Sequence, residues 1–477
     1  MNEVIAKIQS LPDDVRNRLV GEYKIAVKAM PSSVATVINW AANSVGTPLR
    51  IIGQVVHAWC GTHYESTRMY DITEATLHVL GCPISLSVDP DFIRQVEKSL
   101  NSCVDRYGTN IVENPRGLNF QDGTLFITRE DISFQEGHTP DVVFTYCLPF
   151  RYHGERQESK VWSKFITQII PDEEMRRYTL TSFINAIAGD PMNAQRMLLL
   201  MGVGASGKST LIDAVVNAIG KKNACRVDDL RNLTKDESRY RIDLANHILC
   251  ICGDASGNLG NKDVLKQIVS KEEISGRRLY KEVEYFVPRA SLLVASNEIG
   301  FTHALGDSGI SRRIDIIQFK NPVSEQDRDP FIGEKLAYDN EQREMIMDML
   351  DCLIDMQQKY GKMVRPDKLS QVLDDMRFDG DSFLSFIGSS GLDIASEIKS
   401  GKNNSQEWIH QSSLFSAYNY YCGMNGNQTG SMRTLKGKCE THGVIREGAG
   451  KRQHKMLFDV VDEKAYRNAF YAITPLK

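Results

Sequence analysis

The residues best suited to chemistry form one glycine-rich stretch, residues 202–209, which reads Gly-Val-Gly-Ala-Ser-Gly-Lys-Ser. Glycines let backbone N–H groups converge on phosphate oxygens, while a lysine and a serine that follow bind the outer phosphates and Mg²⁺. The pattern predicts a loop that binds ATP with Mg²⁺, in which Lys208 contacts the β- and γ-phosphates and Ser209 is a Mg²⁺ ligand. The predicted nucleotide ligands are Gly202, Gly204, Ala205, Ser206, Gly207, Lys208, Ser209 and Thr210.

The segments on either side of this loop are those that phosphate binding requires. An apolar run, 197–201, comes before it, and residues 210–216 after it are mostly apolar. A buried strand would deliver the chain into the turn, and a helix N-terminus would add partial positive charge beside the phosphates. A glycine-rich turn without a ligand would explain neither the Lys-Ser pair nor these flanking elements, so we expect a nucleotide-binding loop.

Hydrolysis of a bound triphosphate needs a carboxylate near the metal and a polar group near the γ-phosphate. Asp254 follows the apolar run 247–253, so a buried strand would present its carboxylate at the edge of a sheet, beside the nucleotide. Its role stays open between Mg²⁺ ligation and orientation of the attacking water, because Ala255 stands where a second acid often follows. Asn297 ends the next apolar run, 291–296, where its amide can bridge the γ-phosphate and the water.

An adjacent pair of arginines, Arg312 and Arg313, comes just before the apolar run 314–319. An arginine in such a place can reach a nucleotide across a subunit interface and offset the charge of the transition state. The alternative is a solvated basic pair without a catalytic role. We favour the catalytic interpretation.

A basic segment, residues 266–281, lies between the two strand-terminal motifs. With it, five motifs stand in order across residues 194–322: the phosphate loop, a lone acid after a strand, the basic segment, an asparagine after a strand, and an Arg-Arg-Ile element. This order and spacing resemble the superfamily 3 helicases, in particular the poxvirus-type primase-helicase branch found in phages, plasmids and mobile elements. Residues 120–150 and 162–188 resemble, more weakly, the region before the ATPase in that branch.

The resemblance implies a AAA+-like ATPase that assembles into a homo-oligomeric ring, usually a hexamer, and moves single-stranded DNA through its centre. It implies that the basic segment is a hairpin that projects into the pore, with Arg277, Arg278 and Lys281 on the DNA. Positive charge suits this task, because a moving hairpin can follow a phosphate backbone without reading bases. Tyr280 in the same segment could stack on a base or be buried.

The resemblance also assigns roles to the residues of the ATPase motifs. It implies Asp254 as the carboxylate at the metal or the water, Asn297 as the first sensor, and the lysine and serine of the loop as phosphate and Mg²⁺ ligands. Arg313 is the preferred arginine finger, because it directly precedes an isoleucine as in the family's pattern, and Arg312 is the alternate.

The elements that must position these residues indicate an α/β protein. Apolar strands alternate with helices in the core, with strand candidates at 197–201, 247–252, 291–295 and 314–319. Before the core, an Asp-Gly step between apolar segments at 119–127 predicts a hairpin. We expect a mixed α/β N-terminal domain at 1–155, a helical collar or linker at 156–193, a P-loop AAA+-like ATPase core at 194–325, a helical segment at 326–390 and a winged-helix-like module at 401–477.

Composition bounds the class of protein. The 477 residues are 42% hydrophobic and 25% charged, with a net charge of −4, which excludes a uniformly basic coat for nucleic acid but leaves local basic patches. No apolar run reaches the roughly 18 residues of a membrane span, and the first residues lack the profile of a secretory signal. Ten cysteines without paired spacing predict reduced thiols. We expect a cytoplasmic protein without membrane contact.

The last part of the chain reverses the overall charge balance. Residues 401–477 contain eleven Lys and Arg against six Asp and Glu. Helical patterns at 412–421 and 431–442, followed by a hairpin around 448–450, predict a winged helix. A small packing domain with a solvated basic face, or a winged helix that binds protein, is the alternative. The residues expected on DNA are Arg433, Lys436, Lys438, Lys451 and Arg452.

These features together predict an ATP-dependent replicative DNA helicase that acts on single-stranded and forked DNA of a phage, plasmid or mobile element, with a primase or other replication proteins as partners. Primer synthesis is not expected, because the N-terminal region shows no zinc or paired-carboxylate polymerase signature. The rival is a replication initiator that binds an origin, uses ATP as an assembly switch and recruits a separate helicase. A small-molecule kinase shares the phosphate loop but has no use for the basic terminal module or the arginine pair.

Overall fold

A computed structural model shows a protein of helices and strands. The residues that it describes are 2–10, 12–13, 30–52, 55–67, 69–80, 84–104, 115–156, 159–236, 238–256, 259–277, 283–320, 322–380, 382–399, 405–424, 431–447 and 455–471. Among the helices of these residues, none combines the length and the apolar character needed to cross a membrane.

The N-terminal part is a small antiparallel sheet covered by helices. Its helices are α1 (Asn2–Gln9), α2 (Met30–Ser44), α3 (Met69–Val79) and α4 (Pro90–Val104), and its strands are β1 (Leu49–Ile52), β2 (Val55–Trp59) and β3 (Tyr64–Ser66). The strands pair in the order β1-β2-β3. Apolar side chains of the four helices and of β1 and β2 form one buried cluster, because each helix turns an apolar stripe to the same side.

A second antiparallel sheet and two helices precede the central sheet. The strands β4 (Gly117–Phe120), β5 (Gly123–Ile127) and β6 (Ile132–Glu136) form a meander, followed by α5 (Lys160–Ile169) and α6 (Glu173–Ile187). Phe120 and Gly123 pair across the turn between β4 and β5, which confirms the hairpin predicted at the Asp-Gly step. Ser159 and Asp172 cap the two helices, because their side chains accept hydrogen bonds from amides of the first turn.

A parallel five-stranded sheet, called the central sheet, confirms the α/β class. The strands that follow α6 are β7 (Met197–Gly202), β8 (Ala224–Val227), β9 (Leu249–Cys252), β10 (Ile274–Arg277), β11 (Val283–Phe286), β12 (Ser291–Ser296) and β13 (Ile314–Phe319). All but β10 and β11 belong to the sheet, in the order β13-β7-β12-β9-β8, while β10 and β11 form an antiparallel hairpin. The apolar runs predicted as strands correspond to β7, β9, β12 and β13, and β8 was not predicted.

Helices flank this sheet and connect it to the preceding region. They are α7 (Lys208–Ile219), α8 (Lys262–Ser270) and α9 (Asp339–Tyr360), with single turns at Arg231–Thr234, Asp243–Asn246 and Ile332–Lys335. α9 packs along α6. Arg156, before α5, pairs with Glu344 (2.8 Å) and Asp351 (2.9 Å) of α9. The helices α5 and α6 and the sheet therefore share one hydrophobic core, which includes residues from Leu118 to Leu369.

A second compact unit comprises Phe301–Ser311 and Ser370–Lys477. It contains a three-stranded antiparallel sheet, and Phe383, Phe386 and Phe458 are fully buried in its core. Its elements are the single turn Ser308–Ser311, the greater part of α10 (Asp367–Gly380), α11 (Ser382–Ser389), β14 (Leu392–Ile394), β15 (Gln406–His410), α12 (Gln411–Met424), α13 (Met432–Thr441), β16 (Lys455–Val460) and α14 (Glu463–Tyr471).

This unit agrees only in part with the predicted winged helix. The two expected helices are present as α12 and α13, but β16 pairs along its length with β14 and β15. Among the described residues, a single bridge, Arg446 to Met456, joins β16 to the other arm of the expected hairpin. The expected boundary at 390–401 lies inside the unit, because Phe386 of α11 packs against Tyr418 and Tyr421 of α12.

Candidate nucleotide-binding site

The phosphate loop joins β7 to α7 in the arrangement that the sequence predicts. β7 ends at Gly202, where a Cβ atom would collide with the carbonyl oxygen of Phe319 on the neighbouring strand. α7 begins at Lys208, and Gly207 before it has a left-handed backbone (φ 88°), in which a side chain would collide with Ile169. A strand, a tight turn and a helix N-terminus thus follow one another, as phosphate binding through backbone amides requires.

Lys208 lies over the loop with its side chain buried. Its Nζ donates hydrogen bonds to the carbonyl oxygens of Gly202 (2.6 Å) and Val203 (3.0 Å) and to Ser206 Oγ (3.2 Å). Desolvation lowers the pKa of Lys208. The same Nζ is 3.5 Å from Oδ1 of Asn297, which follows β12. Lys208 and Asn297, which were predicted from separate motifs, therefore lie next to each other.

Asp254 lies two residues after β9, and serine groups hold its carboxylate. Ser256 donates to it from the backbone amide (2.9 Å, Oδ1) and from the hydroxyl (2.6 Å, Oδ2). Ser296 Oγ, at the end of β12, is 3.2 Å from Asp254 Oδ1. These contacts, the Ser256 hydroxyl first, hold the pKa of Asp254 below its ordinary value, so the side chain is a carboxylate at neutral pH.

The strand order brings these groups to one cleft. β12 lies between β7 and β9, so the carboxyl ends of three neighbouring parallel strands carry the phosphate loop, Asn297 and Asp254. The cleft has a volume of about 740 Å³, which is within the usual range for a small-molecule site. Its lining includes residues 204–210, Gly253, Asp254, Ser256 and residues 295–298.

The groups in the cleft fit ATP with Mg²⁺. Backbone amides at the start of α7 and the Lys208 ammonium suit phosphate oxygens. The Ser209 hydroxyl is exposed to the cleft, and with the Asp254 carboxylate it suits Mg²⁺, which keeps several waters and takes few protein ligands besides phosphate. Within the described part of the chain, no cluster of three His, Cys, Asp or Glu side chains could hold a metal alone.

Sequence reasoning missed two residues next to Asp254. Ser296 ends the strand before Asn297, and its hydroxyl also accepts the amide hydrogen bond of Ala255 (3.1 Å). Asp229 follows β8; the hydrogen bond from Arg231 lowers the pKa of Asp229, while the negative charge of Asp254 acts in the opposite direction. A second acid thus comes from the neighbouring strand instead of position 255. An acidic pair, residues 228 and 229, was the signal available in the sequence.

The two arginines before β13 have different surroundings. Arg313 is 8% exposed, and its Nε donates to Ser270 Oγ at 2.9 Å. Arg312 is exposed, and its side chain has no hydrogen-bond or ion-pair partner among the described residues. Both lie at the amino end of β13, whereas the cleft lies at the carboxyl ends of the strands. Of the two predicted arginines, Arg312 is therefore the one with an exposed side chain.

Only some of the predicted DNA contacts fall on described residues. Arg277 is exposed at the end of β10. On α13, Arg433 and Lys436 are exposed and Lys438 is half-buried. The residues that lie outside the described ranges are Arg278, Tyr280, Lys281, Lys451 and Arg452.

Two family models match separate parts of the chain. A family described as D5 N terminal like matches residues 49–171, and a family of unknown function, DUF5906, matches residues 200–313. A predicted helicase of Acanthamoeba polyphaga mimivirus is 26% identical over 245 residues, which are 49% of this chain and 23% of that protein. The chain thus corresponds to about a quarter of the length of this viral relative.

The fold is similar to that of a solved structure. The apo structure of the NrS-1 C terminal region superimposes with a TM-score of 0.50 and 12% identity, covering 91% of this chain and 99% of that one. The chain is thus similar in part of its sequence to a viral helicase and in fold to the NrS-1 C terminal region.

Proposed function

We propose that this protein is an ATP-dependent DNA helicase that assembles into a ring, binds single-stranded and forked DNA and moves along it during replication of a virus, phage, plasmid or mobile element. The observation that carries the proposal is the meeting of Lys208, Asn297 and Asp254 at one cleft. The viral relative and the D5 N terminal like region favour DNA unwinding over other uses of ATP.

In the proposed reaction, the chain's own groups bind and orient the triphosphate. The amides at the start of α7 and the Lys208 ammonium bind the β- and γ-phosphates and offset their charge. Ser209 and Asp254 would hold Mg²⁺, which would supply further positive charge at the phosphates. Asp254 and the Asn297 amide orient the attacking water towards the γ-phosphate, and Ser296 keeps the carboxylate in place.

A second cleft next to the phosphate loop offers room for the nucleoside. Its volume is about 580 Å³, and it shares three residues of the loop region with the first cleft. Its walls come from α5 and from residues 323–335. Val161, Val323 and Ile332 are half-buried apolar residues there, on which a flat base can rest while the triphosphate extends into the first cleft.

The position of Arg312 supports assembly into a ring, for which we propose a hexamer. Because Arg312 is exposed at the amino end of β13, it is remote from the cleft of its own chain. In a ring, each chain would place Arg312 at the γ-phosphate of its neighbour. An arginine supplied in trans raises phosphoryl transfer by roughly 10³- to 10⁵-fold. Hydrolysis would therefore depend on assembly.

DNA binding is assigned to two basic surfaces. The first is the hairpin of β10 and β11, which packs at Gly276 against Ile242 and carries exposed Arg277 at the end of β10. The residues that join the two strands add Arg278 and Lys281 in the sequence. The second surface is the exposed face of α13. Such positive charge follows a phosphate backbone without reading its bases.

Unwinding of a forked DNA duplex with ATP and Mg²⁺ tests this function. Wild type is compared with Lys208→Ala and with a variant in which the hairpin residues Arg277, Arg278 and Lys281 are all alanine. A matched control replaces the exposed Arg94, Lys98 and Lys221 with alanine. We expect Lys208→Ala to lose hydrolysis and unwinding. The hairpin variant should lose unwinding and retain basal hydrolysis, whereas the control should retain both.

Two results would contradict the proposal in different ways. If wild type hydrolyses ATP and assembles but does not unwind DNA, the initiator that uses ATP as an assembly switch becomes the better account, and the basic face of α13 would then contact the origin. If the hairpin variant unwinds DNA as well as the matched control does, the hairpin is not the translocating element.

A further inference from the structure

We propose that Arg365 is a positioning residue for Arg312; the inference rests on the proposed role of Arg312 at a neighbouring nucleotide. Arg365 lies in the loop between α9 and α10. Its Nη2 donates hydrogen bonds to the carbonyl oxygens of Arg312 (2.9 Å) and Ile314 (3.0 Å), and its Nε donates to Asp315 Oδ1 (2.7 Å). Arg365 therefore holds the backbone on both sides of Arg313, at the point from which the Arg312 side chain extends.

Asp315 fixes the side chain of Arg365 in this orientation. Asp315 is 2% exposed, and its Oδ2 accepts a hydrogen bond from the Tyr178 hydroxyl at 2.6 Å. The Tyr178 oxygen in turn accepts from Arg196 Nη1 at 2.7 Å. A change of the Arg365 rotamer would take from Asp315 Oδ1 its arginine partner at 2.7 Å, and a buried carboxylate is costly when it loses a partner. The network thus joins α6, β13 and the loop after α9.

Two further hydrogen bonds hold residues 312–314 through Arg313. The Arg313 carbonyl oxygen accepts a hydrogen bond from Met197 N at 2.8 Å, and the Arg313 side chain donates to Ser270. Residues 312–314 are therefore fixed by β7, α8 and Arg365 together, while the Arg312 side chain remains exposed. An arginine that acts on a transition state needs such a support, because a misplacement of about 1 Å can reduce a rate about 100-fold.

Arginine at position 365 is specifically suited to this task. Its planar fork reaches two carbonyl oxygens and a carboxylate at once, whereas the single ammonium of a lysine keeps the charge beside Asp315 but not this geometry. For Arg365→Lys we expect kcat for ATP hydrolysis to fall about tenfold, with KM unchanged, because Arg312 acts in the transition state and not on the bound ground state.

The test measures steady-state ATP hydrolysis by the full chain at concentrations at which sedimentation shows the assembled form. It compares wild type, Arg365→Lys, Arg312→Ala and the control Tyr178→Phe. The control removes the hydrogen bond on the other oxygen of Asp315 and leaves the bonds of Arg365 to the backbone, so we expect lower thermal stability but the kcat of wild type. If Arg365→Lys does not fold, Arg365→Gln takes its place.

Mixed assemblies decide whether the defect acts across the subunit boundary. Arg365→Lys is mixed with Lys208→Ala, whose Arg312 and Arg365 are intact, and the mixture of wild type with Lys208→Ala is the reference. We expect the loss of ATP hydrolysis by Arg365→Lys, relative to wild type, to be smaller in the mixture than for the variant alone. The reason is that the Lys208→Ala subunits supply a well-placed Arg312. A deficit of unchanged size would overturn the inference, because the defect would then lie in the variant's own cleft.

The two proposals fail in distinguishable ways. If Arg312→Ala reduces kcat but Arg365→Lys keeps the kcat of wild type, the positioning role of Arg365 is wrong and the role of Arg312 stands. If Arg312→Ala itself keeps the kcat of wild type, the assignment of Arg312 is wrong, and the positioning role falls with it.

Discussion

The two edges of the central sheet carry charged residues in opposite surroundings. At the carboxyl edge, Lys208 and Asp254 line an open cleft and are held by serine and backbone groups. At the amino edge, Asp315 is buried between Arg365 and Tyr178. Neutral groups hold Lys208 and Asp254 in the cleft, whereas Asp315 is paired with the opposite charge of Arg365. Pairing with an opposite charge, more than burial or polarity, separates this candidate site from the structural network.

This comparison predicts whether a substitution at each edge of the sheet changes catalysis or stability. Substitutions at the carboxyl edge should change catalysis and leave stability nearly unchanged, whereas substitutions of Asp315 and Tyr178 at the amino edge should mainly lower stability. A tenfold change in rate corresponds to about 1.4 kcal/mol, so the two kinds of effect can be placed on one scale.

The largest effect is expected for Lys208→Ala. The variant loses the positive charge at the β- and γ-phosphates, and we expect ATP hydrolysis to fall at least about 10³-fold, or about 4 kcal/mol. Steady-state hydrolysis measures the loss, and Lys221→Ala, an exposed lysine beyond the end of α7, is the control. Activity within tenfold of wild type would show that Lys208 is not the phosphate-binding lysine.

The next effect is expected at the opposite edge, for Asp315→Asn. Two arginines lose the charge of their buried partner, so we expect the free energy of unfolding to fall by about 3 kcal/mol. Urea unfolding followed by tryptophan fluorescence measures it, because Trp162 is buried in the core that contains the central sheet. Asp131→Asn, an exposed acid, should change stability by less than about 0.5 kcal/mol. Equal stability of the two variants would contradict a structural network.

A somewhat smaller effect is expected for Asp254→Asn. The amide keeps the size of the side chain but loses the charge at Mg²⁺ and at the attacking water, so we expect kcat to fall about 100-fold, or about 2.7 kcal/mol. Binding of a fluorescent ATP analogue should stay within a few-fold of wild type. If binding weakens as much as kcat falls, Asp254 serves the bound nucleotide and not its hydrolysis.

The smallest effect is expected for Tyr178→Phe. One buried hydrogen bond to Asp315 is lost while the ring still fills its place, so we expect about 1 kcal/mol less stability. The same urea unfolding measures it, and ATP hydrolysis should not change. A loss of activity larger than the loss of stability would mean that the two edges are coupled through α6.

The carboxyl edge was predictable from sequence because its signals are local. The phosphate loop is a contiguous motif, and Asp254 and Asn297 follow apolar runs, which places them at one edge of any parallel sheet. The amino edge has no such signal. Tyr178, Arg196 and Arg365 come from distant parts of the chain, and nothing near any of them indicates that they meet at Asp315.

The choice between Arg312 and Arg313 also depends on a contact between distant parts of the chain, which the sequence does not show. The pattern before β13 selects the pair, but the preference for Arg313 depended on the following isoleucine and not on burial. The contact of Arg313 with Ser270 of α8 is long-range, and together with the burial of Arg313 it is the reason that we propose Arg312 instead. Among the strands, β8 was missed because the exposed Arg226 interrupts its apolar residues. β14 lies between the expected modules and has three residues, and β15 precedes the first helix expected in the terminal module.

The strand order has a consequence for the chain as it is made on the ribosome. Leu198 of β7 pairs with Leu293 of β12 and with Asp315 of β13, and both of these strands are synthesised long after β7. Until they emerge, the apolar β7 has no neighbour, because pairing between distant segments forms late. The nascent protein therefore passes through a stage in which its phosphate loop is complete in sequence but unsupported, and a chaperone that holds β7 would protect that stage.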